Sequence, residues 1–293
     1  MTLQLEPKIG VIIPSHNNLD VLKHSVPSIY DDAFMVVLFD DGSTDGTKEW
    51  VRNNYPKVHI LRGDGNFWWT GAVSRLIDYC LVNNCDYIIS LNADVLITPA
   101  SAQRLVSLSM DKSDALVASL VVDVFNPERV LWAGSRFDKI HKLIPIYASR
   151  YIYKAGSLVN NLPKVPYAVD EVHGRGVVLP ASVIRNIGNY DSKNFPQYGG
   201  DTEFSFRASK NSIKMFIEPN CLAKVFVDNT SIGINTDASL SDRLCGIMDY
   251  LFKRKNGEAV IVWWRLYRRY LPSKFFLQSY IFVLILNVYR RLR

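Results

Sequence analysis

Polar and acidic side chains follow four apolar runs in the first third of this chain. The runs are followed in turn by "PSHN", "DDGSTDG", "GDGN" and "NAD", and the last of these ends in Asp94. A carboxylate at the end of a buried strand is costly unless a cation or hydrogen-bond donors accompany it. The carboxyl ends of parallel strands meet at one edge of a sheet, where ligands bind in open α/β proteins. The sequence therefore predicts one polar site built from four strand ends.

The segment "VVLFDDGSTDGT" carries the densest group of these polar residues. Asp40 and Asp41 end an apolar run, and Gly42 permits a tight turn before a helix. Two interpretations remain open at this point. Either the acids stabilise the N-terminus of that helix, or one of them accepts a hydrogen bond from a nucleobase N–H while the backbone positions a ribose.

Short β-rich runs alternate with longer helical patterns over the first 120 residues. Repeated β-α-β units imply an α/β fold with a mostly parallel sheet and helices on both faces. We predict strands at 9–13, 34–39, 58–61, 87–91 and 115–122, and helices at 19–30, from 44 or 45, at 70–81 and from 99.

The second half of the chain is less regular. Scattered aromatic residues and prolines over 130–168 suggest hairpins and loops around a groove. A strand then precedes a helix at 181–187, and a further helix follows the glycine pair at 199–200. Two short strands are predicted at 213–217 and 222–227.

Composition excludes several classes of protein. Hydrophobic residues make up 48% and charged residues 21%, as in folded globular proteins. The four cysteines show no CxxC spacing, which favours reduced thiols in a cytosolic protein and no zinc site from cysteines alone. The N-terminal residues lack a basic segment followed by an apolar one, so we predict no signal peptide.

The positive charge of the chain is concentrated towards its C-terminal end. Residues 251–293 carry ten Lys or Arg against one acid, Glu258, which gives this segment +9 and leaves about −3 of the whole-chain +6 for residues 1–250. A nucleic-acid-binding protein usually spreads its basic residues over the folded domain. We therefore predict no nucleic-acid partner.

Five segments resemble, in order and approximate spacing, those of family 2 glycosyltransferases. They are "VIIPSHNN", "LFDDGSTDGT", "GDGNFWWTGAVSRLI", "IISLNADVLI" and "GRGVVLPASVIRNIGNYDSKNFPQYGGDTEFSFRA". The resemblance covers roughly residues 8–232 and is greatest to the rhamnosyltransferase-type members that build bacterial surface polysaccharide such as O-antigen or capsule. It implies the GT-A fold, a Rossmann-like α/β fold, and a nucleotide-sugar donor carrying UDP, dTDP or GDP.

The resemblance implies a donor site at the first two strand ends. Pro14, Ser15 and Asn17 belong to the first loop, which faces the nucleotide. Asp40 or Asp41 is implied to grip the base.

The segment "GNFWWTGA" is implied to line the donor pocket. By the resemblance, Gly65, Asn66 and Gly71 let the backbone approach the nucleotide, and Trp68 and Trp69 are candidates to line the wall of the site. Core packing against the sheet is the alternative for both tryptophans. Arg75, where many relatives carry Asn, either contacts the donor diphosphate or lies on the solvated side of its helix.

The triplet "NAD" matches the place of the family's acidic metal-binding triplet. Its first position is Asn92 and its third is Asp94, and both are assigned to the donor site. Mg²⁺ or Mn²⁺ needs only one or two protein carboxylates when a diphosphate and water supply the other oxygens, so Asp94 alone suffices. A solvated turn aspartate is the alternative. Asp228, near the place where relatives often carry His, is a second candidate ligand.

The segment "YGGDTEFSFR" matches the place of an acidic pair that precedes a helix. Gly200 replaces the first acid, and Asp201 holds the second position, that of the catalytic base in an inverting transfer. The alternative for Asp201 is a helix N-cap, and a helix N-terminus would lower its pKa. Glu203 and Arg207, four residues apart, are predicted to form a supporting ion pair.

Three residues are assigned to the acceptor side of the site. His173 and Gly176 belong to "VHGRGVV", at the strand expected to face the acceptor, and Trp132 lies among the aromatic residues of the second half. A structural role is the alternative for His173.

An uncharged stretch at 275–289 lies between basic residues. A helix of this length measures about 22 Å, short of the roughly 30 Å hydrocarbon core. Its basic flanks and the nearby Trp and Tyr suit an anionic membrane surface, contacted by residues 263–293. The alternatives are a helix packed on the catalytic domain and a homodimer contact.

The predicted organisation is a catalytic domain at 1–236 and a helical tail at 237–293. The catalytic domain divides into a nucleotide-sugar half at 1–125 and an acceptor half at 126–236.

The sequence thus predicts an inverting, metal-dependent hexosyl- or deoxyhexosyltransferase that extends a lipid-linked glycan. We expect a cytoplasmic protein, peripheral at the inner face of the cell membrane. One alternative is a sugar-nucleotidyltransferase. Such an enzyme is expected to carry a Gly-rich, basic signature near its N-terminus, and the segment "IPSHNNLD" contains no such run. The other alternative is a non-catalytic nucleotide-binding scaffold. It is suggested by Asn92 and Gly200, which stand where the family usually carries acids.

Overall fold

A computed structural model describes residues 6–139, 146–226 and 254–292, together with positions 241, 245, 247 and 248. In the C-terminal part, side chains are described over 260–289. The described residues form one large sheet with helices packed on it, and a small two-stranded sheet. This confirms the predicted α/β fold class.

The described strands lie between residues 9 and 225. They are β1 (Ile9–Ser15), β2 (Phe34–Asp40), β3 (His59–Arg62), β4 (Tyr87–Ser90), β5 (Val95–Leu96), β6 (Leu116–Asp123), β7 (Val130–Trp132), β8 (Ser135–Lys139), β9 (Tyr147–Tyr151), β10 (Tyr167–Val169), β11 (Val177–Pro180) and β12 (Met215–Val225). The large sheet has the order β10-β12-β6-β11-β4-β1-β2-β3, with β5 paired to β12 and β7 paired to β6. β8 and β9 form the small sheet.

The described helices connect the strands and extend the C-terminal part. They are α1 (Leu19–Ile29), α2 (Thr47–Asn54), α3 (Trp68–Val82), α4 (Pro99–Asp111), α5 (Ala181–Ile187), α6 (Gly200–Lys210), α7 (Arg254–Tyr270) and α8 (Ser273–Leu292). A short 3-10 helix covers Val159–Asn161.

The sheet is parallel across its first half and mixed beyond it. β3, β2, β1 and β4 run parallel, as the β-α-β pattern predicts, and β12 runs parallel to β6. β11 is antiparallel to both β4 and β6, with Val177 opposite Ser90 and Ala118. This direction brings the start of β11 beside the end of β4, so the residues before β11 reach the edge of the sheet where β4 ends.

Two predicted element boundaries are wrong. The two strands predicted at 213–217 and 222–227 are one strand, β12, whose register with β6 shifts between Glu218 and Leu222. α2 begins at Thr47, later than predicted, because Gly46 occupies the N-cap position with φ +85°. The Asp45 carboxylate accepts hydrogen bonds from the backbone N–H groups of Leu19 and Thr47, so it ties the start of α1 to α2.

α7 and α8 continue the fold beyond the predicted catalytic domain. Val262 and Leu266 of α7 are buried with Phe195 and Phe206, and Val283 of α8 is buried in a neighbouring cluster. α7 therefore packs on α6. In α8, which contains the uncharged stretch 275–289, Val283 is buried with Ala148 of β9, and Ser279 Oγ accepts the Tyr147 N–H at 3.0 Å, which agrees with the helix-packing alternative for that stretch. Among the described helices, none is long and apolar enough to cross a membrane. The division of the chain at residue 236 stays a prediction.

Candidate active site

Asp41 orders the loop that follows β3. Its Oδ1 accepts the Gly65 N–H at 2.9 Å, and its Oδ2 accepts those of Phe67 at 3.0 Å and Trp68 at 3.1 Å. These charge-assisted bonds hold Trp68 at φ +58°, a backbone conformation that is costly for a bulky residue. Asp41 is only 5% exposed, and both of its oxygens are engaged within the protein.

Asp40 is completely buried beside Asp41. Its Oδ1 accepts the Ser43 N–H at 2.9 Å, which closes the turn after β2. Its Oδ2 is buried and has no hydrogen-bond partner among the described residues. The role of Asp40 or Asp41 in binding a nucleobase stays a prediction, and Asp40 is the acid with an oxygen that needs a donor.

The loop after β1 lies against the loop after β2. Pro14 and Ser15 are buried, whereas Asn17 is exposed with φ +51°. The side-chain oxygen of Asn17 accepts a hydrogen bond from the Thr44 backbone N–H at 2.8 Å. The backbone N–H of Asn17 donates to Ser43 Oγ at 2.9 Å. Asn17 therefore joins the first two strand-end loops, which lie together as predicted.

Trp69 joins three parts of the site. Its indole Nε1 donates to Asn92 Oδ1 at 2.8 Å, and its backbone N–H donates to Gln197 Oε1 at 2.9 Å. A Cβ added to Gly174 would lie 2.3 Å from Trp69 Cζ2, so a side chain larger than glycine does not fit there. Trp69 thus packs against Gly174, and the amide oxygen of Asn92 fixes its indole ring through the hydrogen bond from Nε1.

The other residues of the "GNFWWTGA" segment differ in exposure. Asn66 is exposed, and its N–H donates to Asp64 Oδ1 at 3.0 Å. Gly71 is buried where a Cβ would lie 3.5 Å from Phe67 Cβ. Arg75 is exposed, with its guanidinium 5.7 Å from the centroid of the Phe67 ring, so it lies on the solvated side of α3.

Asp94 is the best candidate ligand for a cation. Its Oδ1 is buried without a hydrogen-bond partner in the described part of the chain. Burial raises the pKa of Asp94, while the charge of Arg175 acts to lower it. An unpaired carboxylate oxygen fits a hard divalent cation. Asp228, the second candidate ligand, lies outside the described residues.

A cation at Asp94 needs further oxygen ligands from its substrate. The described residues include no group of three or more His, Cys, Asp or Glu side chains placed to hold a metal ion. Diphosphate oxygens and water complete the coordination of Mg²⁺ in many phosphate-binding enzymes. The donor set at Asp94 therefore suits a metal that arrives with a diphosphate.

Asp201 lies at the second residue of α6 and is partly buried. The N-cap position belongs to Gly199, at φ +76°, so the N-cap alternative for Asp201 is wrong. Burial raises the pKa of Asp201, and the nearby charges of His173 and Arg175 only partly offset this effect. The predicted lowering of its pKa is therefore wrong too. A raised pKa makes this carboxylate a stronger base than an ordinary aspartate.

Gly200 is packed tightly against α3. A Cβ at this position would lie 2.6 Å from Thr70 Oγ1 and 2.8 Å from Thr70 Cγ2. Thr70 is fully buried, so it has little room to move. A side chain at this position, such as that of the first acid of the pair, would therefore collide with Thr70.

The segment 171–176 contributes charged residues that the sequence analysis did not single out. Glu171 is buried and accepts hydrogen bonds from Ser149 Oγ at 2.6 Å and Thr202 Oγ1 at 2.7 Å. Burial acts to raise the pKa of Glu171, but His173 and the two hydroxyl donors lower it to about 2. Arg175, on the same segment, is partly buried. The glycines on both sides of Arg175 in "HGRG" are the sequence signal for this close-packed segment.

His173 lies in this segment beside Asp201, whereas the other two predicted acceptor residues are packing positions. The His173 ring stacks on Trp132 with centroids 4.2 Å apart, and Trp132 is 2% exposed. Burial acts to lower the pKa of His173, while Glu171, whose Oε1 is 3.9 Å from Nε2, and Asp201 raise it overall. Gly176 is buried at φ +84°, where a Cβ would lie 2.7 Å from Ser119 Oγ.

Glu203 connects α6 to α7. Arg207 Nη2 donates to its Oε2 at 2.8 Å, which confirms the predicted ion pair. Arg269 Nη1, at 3.2 Å, and the Tyr270 hydroxyl also donate to Oε1 of Glu203. Arg269 also donates to Asp191 Oδ2 at 2.9 Å, so α7 contacts both α6 and the loop that precedes it.

The fold and site define an α/β protein of the GT-A architecture with acidic groups at the carboxyl ends of its strands. The sequence matches the family described as Glycosyl transferase family 2 over residues 10–164. This chain belongs to glycosyl transferase family 2. No curated protein matches it in sequence.

Several solved structures share the fold. GalNAc-T7, crystallised with UDP, GalNAc and Mn²⁺, has a TM-score of 0.57 at 14% identity over 91% of this chain and 52% of its own. The mannosyltransferase PcManGT from Pyrobaculum calidifontis, in complex with GDP-Man and Mn²⁺, has a TM-score of 0.53 at 14% identity over 90% and 65%. TarS 1–349 of S. aureus has a TM-score of 0.52 at 11% identity over 90% and 81%. This chain thus spans about half of the first structure and two thirds of the second, and at these identities the likeness establishes the fold alone.

Proposed function

We propose that this protein is an inverting, metal-dependent glycosyltransferase that moves a hexose or deoxyhexose from a nucleotide-sugar to a lipid-linked glycan in bacterial polysaccharide synthesis. Family membership supports glycosyl transfer in general. The observation that carries the metal-dependent mechanism is the buried Oδ1 of Asp94, which has no hydrogen-bond partner among the described residues. Asp94 and the partly buried Asp201 both lie within range of the Arg175 charge. Two structures with the same fold hold a uridine or guanosine nucleotide with Mn²⁺, which supports a nucleotide-sugar donor with a cation.

In this proposal Asp201 is the catalytic base. Its carboxylate takes the proton of the acceptor hydroxyl while that oxygen forms a bond to the anomeric carbon. The bond from the anomeric carbon to the diphosphate oxygen breaks, and its electron pair leaves with the nucleoside diphosphate. A base operates best when its pKa approaches the working pH, and burial raises the pKa of Asp201 in that direction.

Asp94 is proposed to hold the divalent cation together with the donor diphosphate. When bound, Mg²⁺ or Mn²⁺ acts as a Lewis acid that neutralises the departing diphosphate. Asn92 fixes Trp69 next to this position, and Asp41 fixes the loop at 65–68. These contacts order Trp69 and the loop at 65–68 before a donor binds, so less free energy is lost to ordering these residues on binding.

A titration of nucleotides tests this proposal. Thermal stability is measured with UDP, dTDP and GDP, with and without Mn²⁺, for the unmodified protein, Asp94→Asn and the control Asp111→Asn, which changes an exposed acid at the end of α4. A ligand that binds only the folded state raises the melting temperature by several degrees at 100 times its Kd. We expect a rise that depends on Mn²⁺, survives in Asp111→Asn and is lost in Asp94→Asn.

Two results would count against the proposal. Stabilisation that is equal with and without Mn²⁺ would remove the cation from the site. No stabilisation by any of the three nucleotides would favour the non-catalytic scaffold. Slow hydrolysis of a nucleotide-sugar that requires Mn²⁺ separates a transferase from a protein that only binds nucleotide.

The outer face of α8 supports peripheral contact with an anionic membrane. Leu277, Ile281 and Ile285 are exposed at intervals of four residues, which places them on one face of the helix. Lys274, three residues before Leu277, shares that face and is exposed. An apolar stripe with a cation at its end matches the acyl region and headgroups of an anionic bilayer. The membrane would confine a lipid-linked acceptor near the site.

Vesicle sedimentation tests this membrane contact. We expect binding to vesicles of phosphatidylglycerol and phosphatidylcholine, weaker binding to phosphatidylcholine alone, and loss of binding in Ile281→Glu. The control Val82→Glu changes a residue that is 80% exposed at the end of α3, and it should bind as the unmodified protein does. Equal sedimentation of Ile281→Glu would refute the contact, and an Ile281-dependent dimer that does not bind vesicles would assign the stripe to a second copy of the chain.

A further inference from the structure

The segment 171–176 crosses the candidate active site from α6 to the end of β4. At its start, Thr202 Oγ1 donates to Glu171 and the Val172 N–H donates to Ser205 Oγ at 3.1 Å. At its end, the Gly176 N–H donates to the carbonyl oxygen of Ser90, the last residue of β4. The segment therefore runs between the helix of Asp201 and the strand that leads to Asp94.

Tight packing fixes the backbone on both sides of Arg175. Gly174 lies under the Trp69 ring, and Gly176 adopts φ +84° against Ser119. Neither position has room for a Cβ, since the nearest side-chain atoms would be 2.3 Å and 2.7 Å away. Arg175 is consequently the only residue of this tripeptide with a side chain, and its Cα is held firmly at the edge of the sheet.

The guanidinium of Arg175 lies within electrostatic reach of both proposed functional carboxylates. Its positive charge acts to lower the pKa of Asp94 and that of Asp201, and it acts in the same direction on His173. Both the proposed cation ligand and the proposed base therefore lie within range of the Arg175 charge, and in the proposed reaction the donor diphosphate must lie near the same two carboxylates.

Among the described residues, Arg175 makes none of the ion pairs that two other arginines near the site make. Arg207 pairs with Glu203, and Arg269 pairs with Glu203 and Asp191. Across the described ranges, no carboxylate lies within 4.0 Å of the Arg175 guanidinium. Removing a charge from water without pairing it is unfavourable, so a partly buried guanidinium in this position is suited to an anion that is not part of the described protein.

We propose that Arg175 binds the diphosphate of the nucleotide-sugar donor. This inference rests on the proposed glycosyl transfer and adds a residue to it. The planar guanidinium donates two parallel hydrogen bonds to phosphate oxygens. When the bond between the anomeric carbon and the diphosphate breaks, negative charge grows on the diphosphate, and Arg175 stabilises it there.

Calorimetric titration of matched ligands tests the inference. UDP, dTDP and GDP are titrated with Mn²⁺, and uridine, thymidine and guanosine are titrated alongside, into the unmodified protein, Arg175→Gln and Arg175→Lys. The control is Arg185→Gln, which removes an exposed arginine of α5, after the opposite end of β11. We expect Arg175→Gln to weaken binding of the preferred nucleoside diphosphate about 10- to 100-fold, as for loss of a charge-assisted hydrogen bond.

The nucleoside affinity separates a phosphate contact from a structural role. It should be unchanged in Arg175→Gln, because a nucleoside has no diphosphate for Arg175 to contact. Arg175→Lys, which keeps the charge but not the planar fork, should recover part of the loss, and Arg185→Gln should bind both ligands normally. If Arg175→Gln does not fold, the same comparison is made with Arg175→Lys alone, for which we expect an intermediate loss confined to the diphosphate.

Equal weakening of nucleoside and nucleoside diphosphate would show that Arg175 only supports the fold and would overturn the inference. Unchanged diphosphate affinity in Arg175→Gln would overturn it as well, while leaving the proposed glycosyl transfer intact. If the unmodified protein binds none of the three nucleoside diphosphates, the proposed function itself fails, and the inference fails with it.

Discussion

Replacing Glu203 by Ala should destabilise the whole catalytic fold, although Glu203 is not proposed to touch a substrate. Its side chain is 1% exposed and accepts hydrogen bonds from Arg207, Arg269 and Tyr270. Two of these donors belong to α7, and α7 also contacts the loop before Asp201 through Asp191. Glu203 therefore joins α7 to α6, the helix that carries Asp201.

The size of the effect depends on the partners that remain. Removing one member of a buried ion pair costs about 3–5 kcal/mol of unfolding free energy, because the other charge stays buried. Arg207 keeps the carbonyl oxygens of Ile187, Gly188 and Asn189, and Arg269 keeps Asp191. These contacts favour the lower end of the range, about 3 kcal/mol, which corresponds to a fall in Tm of about 6–12 °C for a protein of this size.

Thermal and urea unfolding of Glu203→Ala measure this loss. Asp138→Ala serves as the control, since it removes a partly exposed ion pair with Arg150, and such pairs contribute less than about 1 kcal/mol. A change in Glu203→Ala no larger than that of the control would refute the role of Glu203 in joining α6 and α7. It would also support a tail that folds independently of the catalytic domain.

Asp201 and its neighbour Gly200 provide three further tests. Asp201→Asn should keep donor binding by calorimetry and lower the rate of transfer at least about 100-fold; near-normal turnover would remove Asp201 from the mechanism. Because burial raises the pKa of Asp201, protonation should reduce kcat/KM on the acid side at a pH above the ordinary range of aspartate, and an acid limb at the ordinary value would contradict this. Gly200→Asp should lower stability by about 1–3 kcal/mol through its clash with Thr70, and unfolding of the double variant with Thr70→Ala should show partial recovery.

Local patterns in the sequence were sufficient to predict most elements of the fold. The strands at β1, β2 and β4 are continuous apolar runs because both faces of a central parallel strand are buried, and α4 begins at Pro99 with the Thr98 side chain accepting the Ser101 N–H. The antiparallel insertion of β11 between β4 and β6 was not predicted, because hydrophobic periodicity carries no information about strand direction.

The sequence was sufficient to nominate candidate residues for the site, but it did not predict the contacts that these residues make. Asp94 and Asp201 stand out because their neighbours in sequence follow a family pattern. The contacts that decide their environment join distant residues, such as Trp69 with Gln197 and Gly200 with Thr70. The lowered pKa predicted for Asp201 is wrong for the same reason, since the burial that raises it depends on tertiary packing rather than on its helix position.

Similar reasoning applies to Asp41. Its position at the end of β2 was read from the sequence, but its three backbone donors come from residues 24 to 27 positions further along the chain. Backbone N–H groups are present at nearly every residue, so no residue type identifies them as partners in advance.

The location of manganese in crystals grown with a nucleoside diphosphate tests the central proposal most directly. Anomalous scattering at the manganese edge identifies the ion without reference to its ligands. We predict a peak within coordination distance of Asp94 Oδ1, diphosphate oxygens that contact both the ion and Arg175, and the Asp201 carboxylate across the site from them. A manganese peak away from Asp94, or a diphosphate bound in a cavity that Asp201 does not face, would contradict the proposed mechanism.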